Sequence, residues 1–173
     1  MSFGLIHGSR SSGDIKRSWE TFEKVARQGL NRNWQNGRLW WNDPDAVTLS
    51  GAMAPEEYRF HASAIVASGG MVLSGDDLST LPRDRLDMFK KLLPPTGVAA
   101  EFEDESLRVG VVKLKDRTLI CVFNWGPQPV KMPVKLQTSG RVTDLWSGQI
   151  YTRTGDSVEV SLQPHEGTVL VVR

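Results

Sequence analysis

The 173 residues carry 21 Lys and Arg against 20 Asp and Glu, a net charge of +1, and 39% are hydrophobic. That is the composition of an ordinary globular chain of one large or two small domains, without the basic excess that a nucleic-acid partner demands. A single cysteine, Cys121, excludes an intrachain disulfide and a cysteine-based metal site.

The opening stretch MSFGLIHGSR has no charged segment followed by an apolar one, so it does not read as a signal peptide, and the cytoplasm is the default compartment. Gly4-Leu5-Ile6 reads as a first short strand ending in the polar run from His7 to Asp14. Trp19, Phe22, Val25 and Ala26 recur at helical spacing and predict a helix over about 15–28. Leu39-Trp40-Trp41 is a second strand, running into Asn42-Asp43-Pro44-Asp45. Pro55, followed by Glu56 and Glu57, opens a helix to about Ala67, stopped by Gly69-Gly70. Met71-Val72-Leu73 predicts a third strand before Ser74-Gly75-Asp76-Asp77, and a last helix covers about 83–93 up to Pro94. Strands alternating with helices, with polar residues after each strand, indicate β/α units. No apolar stretch approaches the ~20 residues of a membrane span.

After Leu93-Pro94-Pro95 the pattern changes to strands broken by Gly, Pro and Asp turns. They fall at about 107–114, 118–124, 130–136, 141–146, 158–162 and 168–172, which predicts an antiparallel β-sandwich that closes its own core. Cys121 lies in the apolar run 119–123 and reads as a buried thiol.

Three segments could carry chemistry. Asp14 follows Arg10 by four residues, where it either caps the next helix or acts as a carboxylate whose ionisation the arginine biases. Trp40-Trp41-Asn42-Asp43-Pro44-Asp45 is either a buried strand with an Asx-Pro turn or an aromatic and carboxylate grip on a sugar. Ser74-Gly75-Asp76-Asp77 reads as a turn or cap. His61 reads as a core histidine, His7 could line a pocket, and His165 sits in a late loop. The three histidines have no metal-ligand spacing, so no metal is expected.

The ordered motifs Arg10-x-x-x-Asp14, Trp41-Asn42-Asp43-Pro44-Asp45 and Ser74-x-Asp76 resemble those that end the catalytic domain of melibiase-type α-galactosidases, glycoside hydrolase families 27 and 36. The resemblance implies an α/β plus all-β fold: residues 1–95 as the last three units of a (β/α)₈ TIM barrel, and 96–173 as an antiparallel β-sandwich. It implies that Asp14 is the catalytic acid/base, with Arg10, Trp41 and Asp45 binding substrate or organising the Arg–Asp pair. It also implies retaining hydrolysis of terminal α-linked galactosides, without metal or organic cofactor. The family's nucleophile segment has no counterpart in these residues, so the isolated chain is expected to be inactive. Three parallel strands cannot close a barrel. Association with the missing N-terminal half, or with another copy, is therefore expected. The alternative is a non-catalytic carbohydrate-binding or scaffold fragment, contacting sugar through Trp125 or Trp146.

Overall fold

A computed structural model describes residues 5–173. Gly4 of the predicted first strand lies outside them, and Leu5 and Ile6 are not in a strand. β1 is Gly8–Arg10, and it pairs in parallel with β2, Trp41–Asp43, so that Arg10 faces Asp43. Both strands lie further along the chain than their apolar runs, within the polar motifs themselves. The ladder extends by one bond, from Ser11 N to Asp43 O at 2.8 Å.

The third predicted strand, Met71–Leu73, is an extended segment instead. Met71 N donates to Asn42 O, and Leu73 O accepts from Val47 N. Between those two contacts Pro44 has no N–H to give, and Asp45 adopts φ 74°. The bend breaks the ladder, leaving an isolated parallel bridge between Val47 and Ser74. Two short parallel strands and this segment form an open α/β layer; the described residues form no closed barrel.

Helix α1 spans Trp19–Leu30, starting four residues later than its apolar spacing suggested, because Ser18 is the cap: its hydroxyl accepts from Thr21 N. Asp14 is therefore not a helix cap. A 3₁₀ turn covers Asn33–Gln35. Helix α2 spans Pro55–Ser68 and ends at Gly69 in the left-handed conformation. There a Cβ would sit 2.2 Å from the Val98 carbonyl carbon, so the position is closed to any side chain. Helix α3 spans Arg83–Lys91.

All six strands predicted for the second half form: β4 (Val109–Lys113), β5 (Thr118–Phe123), β6 (Val130–Lys135), β7 (Val142–Asp144), β10 (Ser157–Leu162) and β11 (Gly167–Val172). The short strands β3 (Glu101–Phe102), β8 (Ile150–Tyr151) and β9 (Arg153–Thr154) complete them. The sheets run β3-β4-β5-β11-β7-β8 and β6-β10-β9. β10 alternates buried Val158, Val160 and Leu162 with outward Glu159 and Ser161. β11, by contrast, is buried along its whole length.

The reason is that the six-stranded sheet is covered on both faces. Ile120, Val122, Leu170 and Val172 meet the small sheet. Leu119, Cys121, Phe123, Val169 and Val171 meet the helices. The sandwich closes one core between its own two sheets, and the second face of the six-stranded sheet, which strand alternation did not reveal, is covered by α2. Burial pushes the Cys121 thiol up to about 12, which keeps it protonated and inert.

Phe60 on α2 is fully buried where the layers join, with ring centroids 4.8 Å from Trp19, 5.2 Å from Phe123 and 4.8 Å from Trp125. Polar contacts frame it. Trp146 Nε1 donates to Ser63 Oγ at 2.9 Å, Arg59 pairs with Glu166 at 2.8 Å, and His165 stacks on Trp19 at 3.9 Å. Among the described residues no helix is long and apolar enough to cross a membrane.

Phe60→Ala should cost about 3–5 kcal/mol, because the cavity lies among aromatic rings that cannot collapse into it. In urea, helix and sheet signals should shift to a lower midpoint together in one transition. Separate midpoints would mean that the layers fold independently.

Candidate functional site

The site is built around one cation. Arg10, at the end of β1, directs Nε to Asp43 Oδ2 at 3.2 Å, and Nη1 to Asp45 Oδ2 at 2.9 Å and Asp14 Oδ1 at 3.4 Å. Burial works against its charge, but the hydrogen bond to Asp43 and the fields of Asp43, Asp45 and Asp14 outweigh this and raise its pKa.

The three carboxylates are not equivalent. Asp43 also accepts from Asp45 N through Oδ1 at 2.9 Å. Asp45 accepts from Ile15 N through Oδ2 at 2.6 Å and from Ala46 N through Oδ1 at 2.7 Å. Its backbone is left-handed, which is tolerable for Asp. Every oxygen of these two groups is engaged. Asp14 has only the long contact to Arg10, and its side chain is 93% exposed, against 12% for Asp45.

The loop bearing Asp14 is tied at both ends. Gly13 N donates to Gln28 Oε1 on α1 at 2.8 Å, and Ile15 N to Asp45. Beyond it, Arg17 reaches Asp76 Oδ1 at 2.7 Å and Ser50 Oγ at 3.1 Å. Asp76, its side chain 2% exposed, also accepts from Leu49 N and from Ser50 N and Oγ. Burial opposes its charge, yet these donors hold its carboxyl below the usual range. One carboxylate thus clasps the three segments that follow β1, β2 and residue 73. Asp77 has the turn role expected, accepting from Ser79 N and Oγ.

The structure gathers Arg10, Asp14 and Asp45, as the motifs suggested, and adds Asp43, whose place opposite Arg10 follows from the parallel register. Trp41 shares the face of β2 that carries Asp43, but its half-exposed ring reaches Gly97, at the other end of the strand. His7 is exposed and contributes its carbonyl to Trp41 N. The Arg17–Asp76 clasp escaped the sequence, where Arg17 is an isolated cation; only Asp76 lay in a singled-out segment. Trp125 and Trp146 are not free for a ligand. Arg27 lies 4.1 Å over the Trp125 ring, whose Nε1 donates to Leu107 O, and Trp146 is held by Ser63.

His61 is buried on α2, accepts from Thr48 N through Nε2 at 3.2 Å, and stacks on Phe22 at 4.4 Å. Burial pushes it down to about 4, against backbone hydrogen bonding at Ala46 and the charges of Asp76 and Asp45.

Residues 104–172 match the α-galactosidase C-terminal β-sandwich domain. An α-galactosidase of Cyamopsis tetragonoloba is 33% identical over 73 residues, which are 42% of this chain and 18% of that protein. The chain resembles the C-terminal half of a melibiase-type α-galactosidase. The fold extends through the helical layer. α-Galactosidase I from Mortierella vinacea superposes with TM-score 0.78 and 15% identity over 99% of this chain and 54% of that one. A glycoside hydrolase family 27 β-L-arabinopyranosidase from Geobacillus stearothermophilus gives 0.83 and 15% over 96% and 44%. The Saccharomyces cerevisiae α-galactosidase solved with raffinose gives 0.73 and 12% over 98% and 60%. The chain thus spans under a fifth of the curated relative in the matched region and about half of these solved enzymes.

Two measurements probe this scaffold. His61 is neutral when folded, with a pKa of about 4 against 6.5 unfolded, so only the unfolded chain takes up a proton between those values. Stability should therefore fall as pH drops from about 6.5 to 4, by on the order of 3 kcal/mol from this residue, and His61→Gln should flatten that part of the curve in urea titrations. Asp76 acts in a lower window, since a depressed carboxyl is lost only below its ordinary range. Asp76→Ala should cost about 3 kcal/mol by stranding donors from Arg17, Leu49 and Ser50. A thermal midpoint close to the parent's would refute the clasp.

Proposed function

We propose that this chain carries the acid/base side of a retaining glycoside hydrolase that removes terminal α-linked galactose, and that it corresponds to the last three units of a (β/α)₈ barrel, residues 1–95, with its β-sandwich, 96–173. The observation that carries the reading is the unequal use of carboxylates around Arg10. Asp43 and Asp45 are saturated by the protein, while Asp14 stands open beside the same guanidinium. The likeness to α-galactosidases supports the substrate class.

In the first step the Asp14 carboxyl gives its proton to the glycosidic oxygen as the C1–O bond breaks, and a carboxylate nucleophile captures C1 from the opposite face. In the second, the Asp14 carboxylate takes a proton from water, whose oxygen attacks C1 and releases the nucleophile. Two inversions give retention. Arg10 orients Asp14 and a sugar hydroxyl, and Asp45 holds Arg10, while Trp41, whose ring lies toward Gly97, is left out of the sugar site. The chemistry needs two carboxyl groups and water. Asp43 and Asp45 are unavailable as the nucleophile, because each is bound to Arg10 and to backbone N–H groups. In this reading the nucleophile belongs to polypeptide outside these residues, with which the open α/β layer associates, or the layer pairs with a second copy of itself.

The 173-residue chain alone should not turn over an aryl α-galactoside; robust turnover abolished by Asp14→Asn would overturn the division of labour. In a complete enzyme containing these residues, Asp14→Asn should slow poor-leaving-group substrates by about 10²-fold or more. Activated aryl galactosides should suffer less in the first step, and an equal loss on both would assign Asp14 a structural role.

A further inference from the structure

A second surface has the chemistry of a sugar site and lies away from Arg10. The 3₁₀ turn Asn33–Gln35 precedes β2, and it exposes 56% of Trp34. Between this turn and the segment leading into the sandwich lies an open groove of about 520 Å³, within the ~300–1,000 Å³ typical of ligand sites. Trp34 and Arg38 line it from one side, and Glu101, Asp104 and Glu105 from the other.

The groove is preformed. Buried Asn33 donates through Nδ2 to the Ala67 and Ala100 carbonyls at 3.0 and 3.2 Å, fixing one wall to the end of α2. Asn36 donates to Gly69 O and Gly97 O at 3.3 and 3.2 Å and accepts from Asn42 N, tying the same turn to the segment that leads into the opposite wall. Glu101 belongs to β3, the edge strand of the six-stranded sheet, and Asp104 is set by its bond from Ser106 N at 2.8 Å. A rigid wall loses little freedom when it binds. The exposed ring therefore stands free of the core packing that occupies Trp19, Trp125 and Trp146.

We propose that this groove is a second, non-catalytic carbohydrate site, which takes a galactosyl unit of an oligosaccharide or polysaccharide. A galactopyranose has one face of C–H groups that can lie on the Trp34 ring. Its hydroxyls then donate to Glu101, Asp104 and Glu105 and accept from Arg38. The choice of galactose rests on the function proposed above; the site itself rests on the groove.

The test uses the 173-residue chain in affinity electrophoresis through gels containing galactomannan, with dextran gels as reference. Galactomannan should retard the chain and dextran should not. Trp34→Ala, at a half-exposed position outside the core, should weaken retardation at least tenfold while leaving the thermal midpoint unchanged, and Glu101→Gln with Asp104→Asn should weaken it too. Asp14→Asn should be retarded like the parent. No retardation, or retardation that survives Trp34→Ala, overturns the site. Equal retardation by dextran overturns the galactosyl assignment. None of these results depends on turnover, so loss of this site is distinguishable from failure of the hydrolase reading.

Discussion

Everything in this chain depends on α2 being buried on both sides. From Tyr58 to Ser68 only Arg59 is not buried, because α1 lies against one face and β5 and β11 against the other. A helix in that position has no solvent stripe to present, and its sequence shows none: Phe60, His61, Ala62, Ser63, Ala64 and Ile65 follow one another without polar spacing. The polar members are tolerated because each has a partner, Ser63 with Trp146, Ser68 with Ile65 O and His61 with Thr48 N. The consequence is a sheet covered on both faces, with β11 buried along its whole length.

Around Arg10 the controlling constraint is electrostatic. Three carboxylates share one guanidinium, so the cluster carries an excess of negative charge and is stable only where that charge is neutralised or hydrated. The two inner carboxylates face Arg10 and are stabilised by backbone donors from residues 15, 45 and 46. The outer one, Asp14, is left to water. An acid/base group has to exchange protons with a ligand and with solvent, and a carboxylate saturated by backbone N–H groups cannot. In the proposed reaction the same asymmetry makes Arg10 a support rather than a partner that Asp14 must break away from, since its shortest ion pair is with Asp45.

Much of this was legible in the sequence, and the failures share a cause. The six strands of the second half announced themselves because alternation and turn residues are local signals. The association of Arg10, Asp14 and Asp45 was implied by the resemblance to the α-galactosidase motifs, not by spacing alone. The short strands β1 and β2 were misplaced because strand signals are apolar, whereas here pairing runs into the polar motifs, where Ser9, Arg10, Asn42 and Asp43 make the ladder. The third strand was lost to a bend at Pro44 and Asp45 that only a positive φ reveals. Asp14 looked like a cap by position, but Ser18 took that role. The sandwich looked self-sufficient because strand alternation cannot reveal what covers the second face of a sheet. Trp34 carried no periodic signal; it gains meaning only from the wall that Asn33 and Asn36 hold opposite it.

These layers bear on one another through a short mechanical path. The sandwich fixes α2 through Phe60 and the Arg59–Glu166 pair. α2 fixes the segment beyond the bend, because His61 accepts from Thr48 N. The next two residues, Leu49 and Ser50, are held by Asp76, which also holds Arg17. Asp45 and Ile15, bound to each other, lie between these anchors and carry Arg10 and the Asp14 loop. A carboxylate as exposed as Asp14 cannot be positioned by its own contacts. It is positioned because the backbone on either side of it is bound, and those bindings lead back to a helix that the β-sandwich covers. On this view the sandwich belongs to the scaffold of the site, and the shared core is what places an otherwise free acid at the end of a strand.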